Sequence, residues 1–331
     1  MKGSPDDLGV VIALRTVLFF VATIANGFII YLIVKSRKMR KEKFNLLIVL
    51  LCIGDIILGI SAIFRAAQNL IIRGHYTRLK CLKVGATFIY GAHATQLAML
   101  LIALDRLDTM FRLHNKHVHK IYFLYILAIP FVLILSTIPV SLLFTGIDDR
   151  EVEYCAVSAN WNIKFGYFTF IEMIIYTVLI LALYAMIYLL YHLQTKHLSL
   201  PKKNNFHNIV YGVVIVYILM WCIPKWILFG LKIVKADIKT IVWSSTITSL
   251  CEVFSASVNV IVYGYTHRDL RKAMKKFFLK NFGIHIPSFN PCVKRSMDET
   301  PKTAYVNRQI EYLAMRENVN GNGSEYSCDA I

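Results

Sequence analysis

Polar and charged groups lie inside long apolar stretches of the sequence, where residues of these types are rare. Asp55 interrupts one stretch and the pair Asp105-Arg106 closes another at one end. Asn259 and Tyr263 are four residues apart in a third stretch, so they share one face of a helix. Ionisable groups inside a membrane usually face a partner or a wet cavity and mark a functional site. Each residue alone is equally well explained by a helix–helix hydrogen bond that only fixes packing.

The composition of the chain limits the class of protein in which these groups lie. The 331 residues are 56% hydrophobic and 17% charged, with a mean hydropathy of +0.54. Soluble domains average about 45–50% apolar and about 25% charged residues, so an ordinary soluble domain is excluded. The net charge of +17 does not indicate a nucleic-acid partner, because the basic residues lie between apolar stretches and form no soluble basic face.

Seven apolar stretches are each long enough to cross about 30 Å of hydrocarbon as a helix. We place them at Leu8–Val34, Phe44–Ile71, Leu82–Leu107, Ile121–Thr145, Phe165–Leu193, His207–Leu231 and Ile238–Tyr263. The sequence therefore predicts an all-α integral membrane protein, a seven-transmembrane helix bundle.

The loops predict the orientation and the domain boundaries. One side carries about twice as many Lys and Arg residues as the other, which places that side in the cytoplasm and the N-terminus outside. The stretch Arg268–Lys280 alternates basic and apolar residues at helical spacing, which predicts a short amphipathic helix on the inner leaflet. The predicted segments are an extracellular N-terminus (1–7), the seven-helix domain (8–263), the membrane-surface amphipathic helix (264–282) and a disordered cytoplasmic tail (283–331).

Short motifs within these stretches resemble those of rhodopsin-like G-protein-coupled receptors, from about Ala25 to Phe278. The matching segments are Leu51-Cys52-Ile53-Gly54-Asp55, Asp105-Arg106-Leu107 and Asn259-Val260-Ile261-Val262-Tyr263, with Cys81 placed 25 residues before Arg106. Within that class, Leu104-Asp105-Arg106-Leu107 and the single cysteine of Val152-Glu153-Tyr154-Cys155 are most similar to nematode serpentine chemoreceptors of the Srsx type.

The sequence departs from the common receptor pattern at three of these motifs. Leu107 replaces the aromatic residue that follows the arginine, and Val260 replaces the proline of the last motif. Trp221 stands one place earlier relative to Pro224 than the family's Trp-x-Pro has it.

The resemblance implies roles for the polar residues. It implies a Cys81–Cys155 disulfide, which also fits two cysteines on the oxidising outer side. It assigns Asp105 and Arg106 to G-protein coupling, with Asp105 as a counter-charge in the resting state. Pro224, Asn259 and Tyr263 would belong to the activation switch.

The resemblance also implies an allosteric sodium ion at the buried acid, while no cofactor is required. The predicted ligands are Asp55, Thr95, Ser255 and Asn259. The alternative is a water-filled hydrogen-bond cluster with Asp55 protonated, because a lone buried carboxylate tends to neutralise itself.

Charged and aromatic residues in the outer half predict a ligand pocket. The candidates are Arg65, Phe88, Glu172, Lys225, Trp226 and Glu252. The alternative is that the two cations and two acids only pair with each other. Phe88 stands where amine receptors carry an aspartate, which disfavours an amine ligand, and His93 alone indicates only a core histidine.

The predicted function is a plasma-membrane receptor that detects an extracellular chemical cue, a small molecule or peptide, and activates a heterotrimeric G protein. The expected partners are that G protein, the ligand and membrane lipids, with no nucleic acid and no enzymatic activity. A neuropeptide receptor of the same fold is the alternative, and the acidic outer loop (Asp148, Asp149, Glu151, Glu153) would suit a basic peptide. A channel or transporter is the alternative from another class, although no two halves of the chain look alike.

Overall fold

The protein is a bundle of long apolar helices in the computed structural model. The structure describes residues 8–71, 76–114, 122–152, 155, 160–198, 214–266 and 268–283. The predicted N-terminal segment 1–7 and the predicted tail, apart from residue 283, lie outside these described residues, as do Ile121 and residues 207–213 of the predicted spans.

The described elements follow one another along the chain as helices with one small pair of strands. They are α1 (Gly9–Lys35), α2 (Arg37–Lys41), α3 (Lys43–Ile71), β1 (Tyr76–Thr77), α4 (Arg78–His114), α5 (Tyr122–Leu135), α6 (Thr137–Leu143), β2 (Glu151–Val152), α7 (Ile163–Leu198), a π-helix (Ile218–Cys222), α8 (Ile223–Ile233), α9 (Ile238–Thr266) and α10 (Arg268–Phe282).

Six helical segments among the described residues are long and apolar enough to cross a membrane. Helices suit that setting because all their backbone hydrogen bonds are made within the segment. In α4, 67% of the membrane-length window is buried, against 28% in α7 and 28% in the fifth of these segments, Val214–Ile233. Helix α4 is therefore the central helix, and the other two turn most of their apolar surface outward.

The fourth apolar stretch, 121–145, was predicted to be one continuous span, and the structure differs from this prediction. It forms two helices, α5 and α6, which break at Ser136. Pro139 lies in the first turn of α6, and a proline cannot donate to the carbonyl four residues earlier and clashes with it. The apolar helical segment described here, Ala128–Leu143, is shorter than the six spans.

The segment Val214–Ile233 carries the π-helix, which ends two residues before Pro224. A π-helix accommodates one extra residue in a helical turn and is frequent at functional sites. Trp221 within it is 1% exposed, so its ring points into the bundle although the sequence places it one residue early. The π-helix thus offsets the displaced motif.

Helices α3 and α4 approach closely at two glycines. A Cβ atom on Gly91 would lie 2.9 Å from the backbone nitrogen of Leu58, and one on Gly54 would lie 2.9 Å from the backbone nitrogen of Thr95. Small residues allow this approach in membrane bundles. The contact at Gly54 also brings the next residue, Asp55, against α4.

We expect Gly91→Ala to lower the thermal stability of the purified protein, because the added methyl group forces α3 and α4 apart. Overpacking of this kind costs about 1–3 kcal/mol. Gly27→Ala is the matched control, since nothing lies within 4 Å of a Cβ at that helical position. Alanine is the better helix former by about 0.5–1 kcal/mol, so the control should not lose stability. An equal loss in both variants would contradict the close approach.

Helix α10 is amphipathic as predicted for this segment, and it begins after α9 has continued to Thr266. Its apolar face packs on α1, where the ring centroids of Phe277 and Phe28 are 4.9 Å apart. Asp269 lies 3.3 Å from Lys38 of α2. Its position on the inner leaflet stays a prediction.

Candidate functional site

A polar cluster lies at the centre of the bundle, on α3, α4 and α9. Asp55 has no exposed surface, and its two carboxylate oxygens accept hydrogen bonds from the Thr95 hydroxyl (3.2 Å) and the Asn259 amide (3.1 Å). The Trp221 indole donates to Ser255 at 3.0 Å, on the same face of α9 as Asn259. The structure thus places Thr95 and Asn259 against the buried acid, and Ser255 one helical turn before Asn259.

The donor chemistry of this cluster fits a hard cation. One carboxylate and the hydroxyl oxygens of Thr95 and Ser255 are the oxygen ligands that such ions take in proteins. Ser255 keeps one lone pair after accepting from Trp221. Asp55 would supply the charge, but in the described residues no group of three or more His, Cys, Asp or Glu side chains could hold a metal ion. The sodium site stays a prediction.

A cavity of about 420 Å³ lies in the half of the bundle that carries the β1–β2 pair and the disulfide. This size falls within the range of small-molecule pockets. Five of the six predicted pocket residues line it: Arg65, Phe88, Glu172, Lys225 and Glu252. Its walls are mainly apolar and aromatic, and they include Ile89, Met173, Phe170, Leu228 and Phe229.

Two close pairs of charged or polar groups lie in the wall of this cavity. Lys225 Nζ is 2.8 Å from Glu252 Oε1, which joins α8 to α9. His93 Nδ1 is 2.8 Å from Glu172 Oε1, which joins α4 to α7. The predicted alternative, in which the acids and cations pair with each other, therefore holds for Lys225 and Glu252, and both of these residues also line the cavity.

Trp226 is the exception among the predicted pocket residues. It does not line the cavity, and 56% of its surface is exposed. Consecutive residues of a helix point about 100° apart, and here Lys225 points into the cavity while Trp226 points away from it. The prediction for Trp226 is wrong, and its ring lies on the outward face of α8.

Sequence reasoning did not predict several polar or aromatic residues of the cavity. Among them are His93, Gln96, Trp161 and Lys232. Lys232 Nζ lies 3.9 Å from the centroid of the Trp161 ring, an arrangement typical of a cation–π contact. Gln96 is 3% exposed, and its amide nitrogen has no hydrogen-bond acceptor. The only sequence signal for His93 and Gln96 was their polarity inside the third apolar stretch.

The outer loop is held to the bundle next to this cavity. Cys81 and Cys155 form a disulfide with a Cα–Cα distance of 5.4 Å, as predicted. Beside it, Tyr76 pairs with Val152 in the antiparallel strands β1 and β2. Arg78 donates to Asp148 at 2.7 Å, and this hydrogen bond lowers the pKa of the Asp148 carboxyl.

Arg106 lies towards the opposite end of α4. Its guanidinium carbon is 3.3 Å from the centroid of the Phe44 ring, at the start of α3. Tyr184 of α7 is close enough to Arg106 to interact electrostatically with it. Asp105 and Arg106 are both half-buried. The side chain of Tyr263, the third predicted switch residue after Pro224 and Asn259, lies outside the described residues.

These features define the class: a multi-pass membrane helix bundle with a ligand-sized cavity at one end and a half-buried arginine at the other. A sequence model of the serpentine-type seven-transmembrane G-protein-coupled chemoreceptors named Srsx matches residues 19–278. The chain belongs to this family, which is a family of receptors and not of enzymes. No curated protein matches the chain.

Proposed function

We propose that this chain is a chemosensory receptor of the plasma membrane, which binds an extracellular small molecule in the cavity and activates a heterotrimeric G protein at the opposite end. Its N-terminus is extracellular and its C-terminus cytoplasmic. The observation that carries the proposal is the cavity of about 420 Å³, mainly apolar but with charged side chains in its wall. Such a combination is typical of small-molecule sites.

A chain of contacts connects the cavity with the centre of the bundle. The Lys225 ammonium lies 4.6 Å from the centroid of the Trp221 ring. Trp221 in turn donates to Ser255, one turn before Asn259, which donates to Asp55. A ligand that moves Lys225 therefore acts on a buried aromatic ring at a π-helix, and through it on the polar cluster. A difference in ligand contacts between two states is what shifts their populations.

Arg106 is the proposed coupling residue at the cytoplasmic end. Its planar fork of donors suits the exposed carbonyl oxygens at the end of a partner helix. The stacking on Phe44 holds that fork at the inner end of α4. Asp105 is the proposed counter-charge in the resting state, and a partly solvated pair of this kind contributes about 1 kcal/mol or less.

The outer loop favours a small molecule over a basic peptide. Asp148, one of its four acidic residues, is bound to Arg78 and lies 3.6 Å from Arg150. The charge of Asp148 is therefore already balanced by these two arginines, whereas the cavity offers an apolar wall to a small molecule.

The test is G-protein nucleotide exchange in membranes from cells that express the receptor, measured against a panel of small molecules. We expect at least one compound to raise exchange, and Phe170→Ala to weaken its potency about tenfold or more, because a lost aromatic contact costs about 1.5–3 kcal/mol. Trp226→Ala is the matched control on the outward face and should keep normal potency. Potency that depends on Trp226 and not on Phe170 would contradict the proposed site. A ligand-gated current without nucleotide exchange would favour a channel.

A further inference from the structure

The Lys225–Glu252 pair in the cavity wall is only half satisfied. Glu252 is 1% exposed, and its Oε1 lies 2.8 Å from the Lys225 ammonium. Its other oxygen, Oε2, is buried and has no hydrogen-bond partner in the part of the chain that the structure describes. The lysine side chain is 21% exposed and lines the cavity, so a molecule inside the cavity can reach it. A buried ion pair whose remaining groups are unsatisfied adds little net stability.

Basic side chains outnumber acidic ones in the lining of the cavity. The basic ones are Arg65, Lys225 and Lys232, and the acidic ones are Glu172 and Glu252. Glu172 Oε1 lies 2.8 Å from His93 Nδ1, while Glu172 Oε2 is buried and has no hydrogen-bond partner among the described residues. A ligand anion would find its partners among the three basic side chains.

Gln96 independently favours a ligand that carries a hydrogen-bond acceptor. Its amide nitrogen is a buried donor without an acceptor among the described residues, and Gln96 lines the cavity. A buried donor that stays unpaired costs about 1–3 kcal/mol. A ligand with acceptor oxygens would satisfy it, whereas a ligand amine would add a further donor.

The apolar part of the cavity wall indicates the chemistry of the ligand's uncharged part. The rings of Phe170 and Phe229 are stacked with 6° between their planes, and Leu228 and Met173 line the same space. An apolar or aromatic body would remove this surface from water at about 25 cal/mol per Å². The expected ligand is therefore amphipathic, with one anionic end.

We propose that the cavity binds a small carboxylic acid with an apolar body, that the acid's proton passes to Glu252, and that the ligand carboxylate replaces Glu252 as the partner of Lys225. The proton transfer leaves no unpaired carboxylate in the buried wall, where such a charge would be costly. The role of this exchange in signalling rests on the proposed receptor function. The exchange breaks the ion pair between α8 and α9, one turn above the π-helix. It also moves the ammonium that lies against the Trp221 ring, so ligand binding changes the contact that leads to the polar cluster.

Binding is tested without any G protein, on the purified full-length receptor in lipid nanodiscs. The measurement is the shift of the thermal unfolding midpoint with octanoate and phenylacetate as probes, compared with octylamine and methyl octanoate. Ligands that bind only the folded state raise this midpoint. We expect both acids to raise it and the amine and the ester to leave it unchanged. A larger shift with octylamine, or no shift with any acid, would overturn the proposal.

Variants of the pair identify the site. Glu252→Gln removes the internal competitor for Lys225, so acid affinity should rise several-fold. The double variant Lys225→Met with Glu252→Gln leaves no unpaired charge and should lose about tenfold or more in acid affinity, since hydrogen bonds to charged groups contribute about 1.5–3 kcal/mol. Gln96→Leu, a milder change, should also lower the affinity for the acids.

Lys239→Met, at an exposed position outside the cavity, is the control and should bind the acids with normal affinity. Equal acid affinity in all four variants would overturn the assignment.

Two further measurements are needed. One compares a membrane-derived acid with a water-borne acid, and the other distinguishes failure of the carboxylate site from failure of the receptor function. Oleate, added with the lipid, represents a fatty acid from the membrane, and phenylacetate represents a water-borne acid. A midpoint shift with either acid that is lost in the double variant supports the site. Acid binding without nucleotide exchange would contradict the receptor function alone, while exchange driven only by amines would contradict the carboxylate site alone.

Discussion

Arg106→Ala is expected to abolish G-protein activation while ligand binding and surface level stay near normal. The guanidinium stacks on Phe44, at the end of the bundle opposite the cavity, so its loss does not alter the cavity wall. What is lost is a permanent charge with five donors in one plane, which no other group at that position supplies. Ligand-stimulated nucleotide exchange in isolated membranes measures the effect, with surface level measured in parallel.

Two further variants make the Arg106 result specific. Arg106→Lys keeps the charge but not the planar fork, so we expect it to recover only a small part of the exchange rate. Arg40→Ala removes an exposed arginine from α2 and should signal normally. A normal rate of nucleotide exchange with Arg106→Ala, at normal surface level, would contradict the proposal that Arg106 is the coupling residue.

The sequence predicted the helices well but not their interruptions. Hydropathy measures how apolar a stretch is, and the stretch 121–145 is apolar throughout. The break at Ser136 follows from Pro139. A hydropathy average does not detect the effect of a proline on the backbone. In the same way, the sequence showed Trp221 one place early in its motif. It did not show the π-helix that turns the Trp221 ring back into the bundle.

The candidate site was predictable where a charge stood alone in an apolar stretch. Arg65, Glu172, Lys225 and Glu252 were found in that way and all line the cavity. Trp226 was wrong because a stretch that is apolar on every side does not reveal which face of the helix points inward.

The significance of His93 could not be predicted from its own stretch. It depends on Glu172, which is 79 residues further along the chain and meets it only through the packing of α4 against α7. Pairings between distant helices of this kind require the fold. They also explain why Gln96, on α4 three residues after His93, was not recognised as a cavity residue.

Loss of the Cys81–Cys155 disulfide is expected to lower surface expression strongly. The bond joins residues 74 apart in the sequence, and it fixes the loop that carries β2 to the start of α4. Removing a native disulfide from a small secreted domain costs about 2–5 kcal/mol, mainly through the loop that it closes.

The test of the disulfide is a non-additive pair of variants. Cys81→Ser and Cys155→Ser should each reduce the ratio of surface to total receptor by the same factor, and the double variant should reduce it no further, because all three remove one bond. Cys251→Ser, a free and half-buried cysteine of α9, is the matched control and should keep a normal ratio. The ratio is measured by antibody labelling of intact and permeabilised cells. Additive losses in the double variant would mean that the two cysteines stabilise the receptor independently, which a shared bond does not allow.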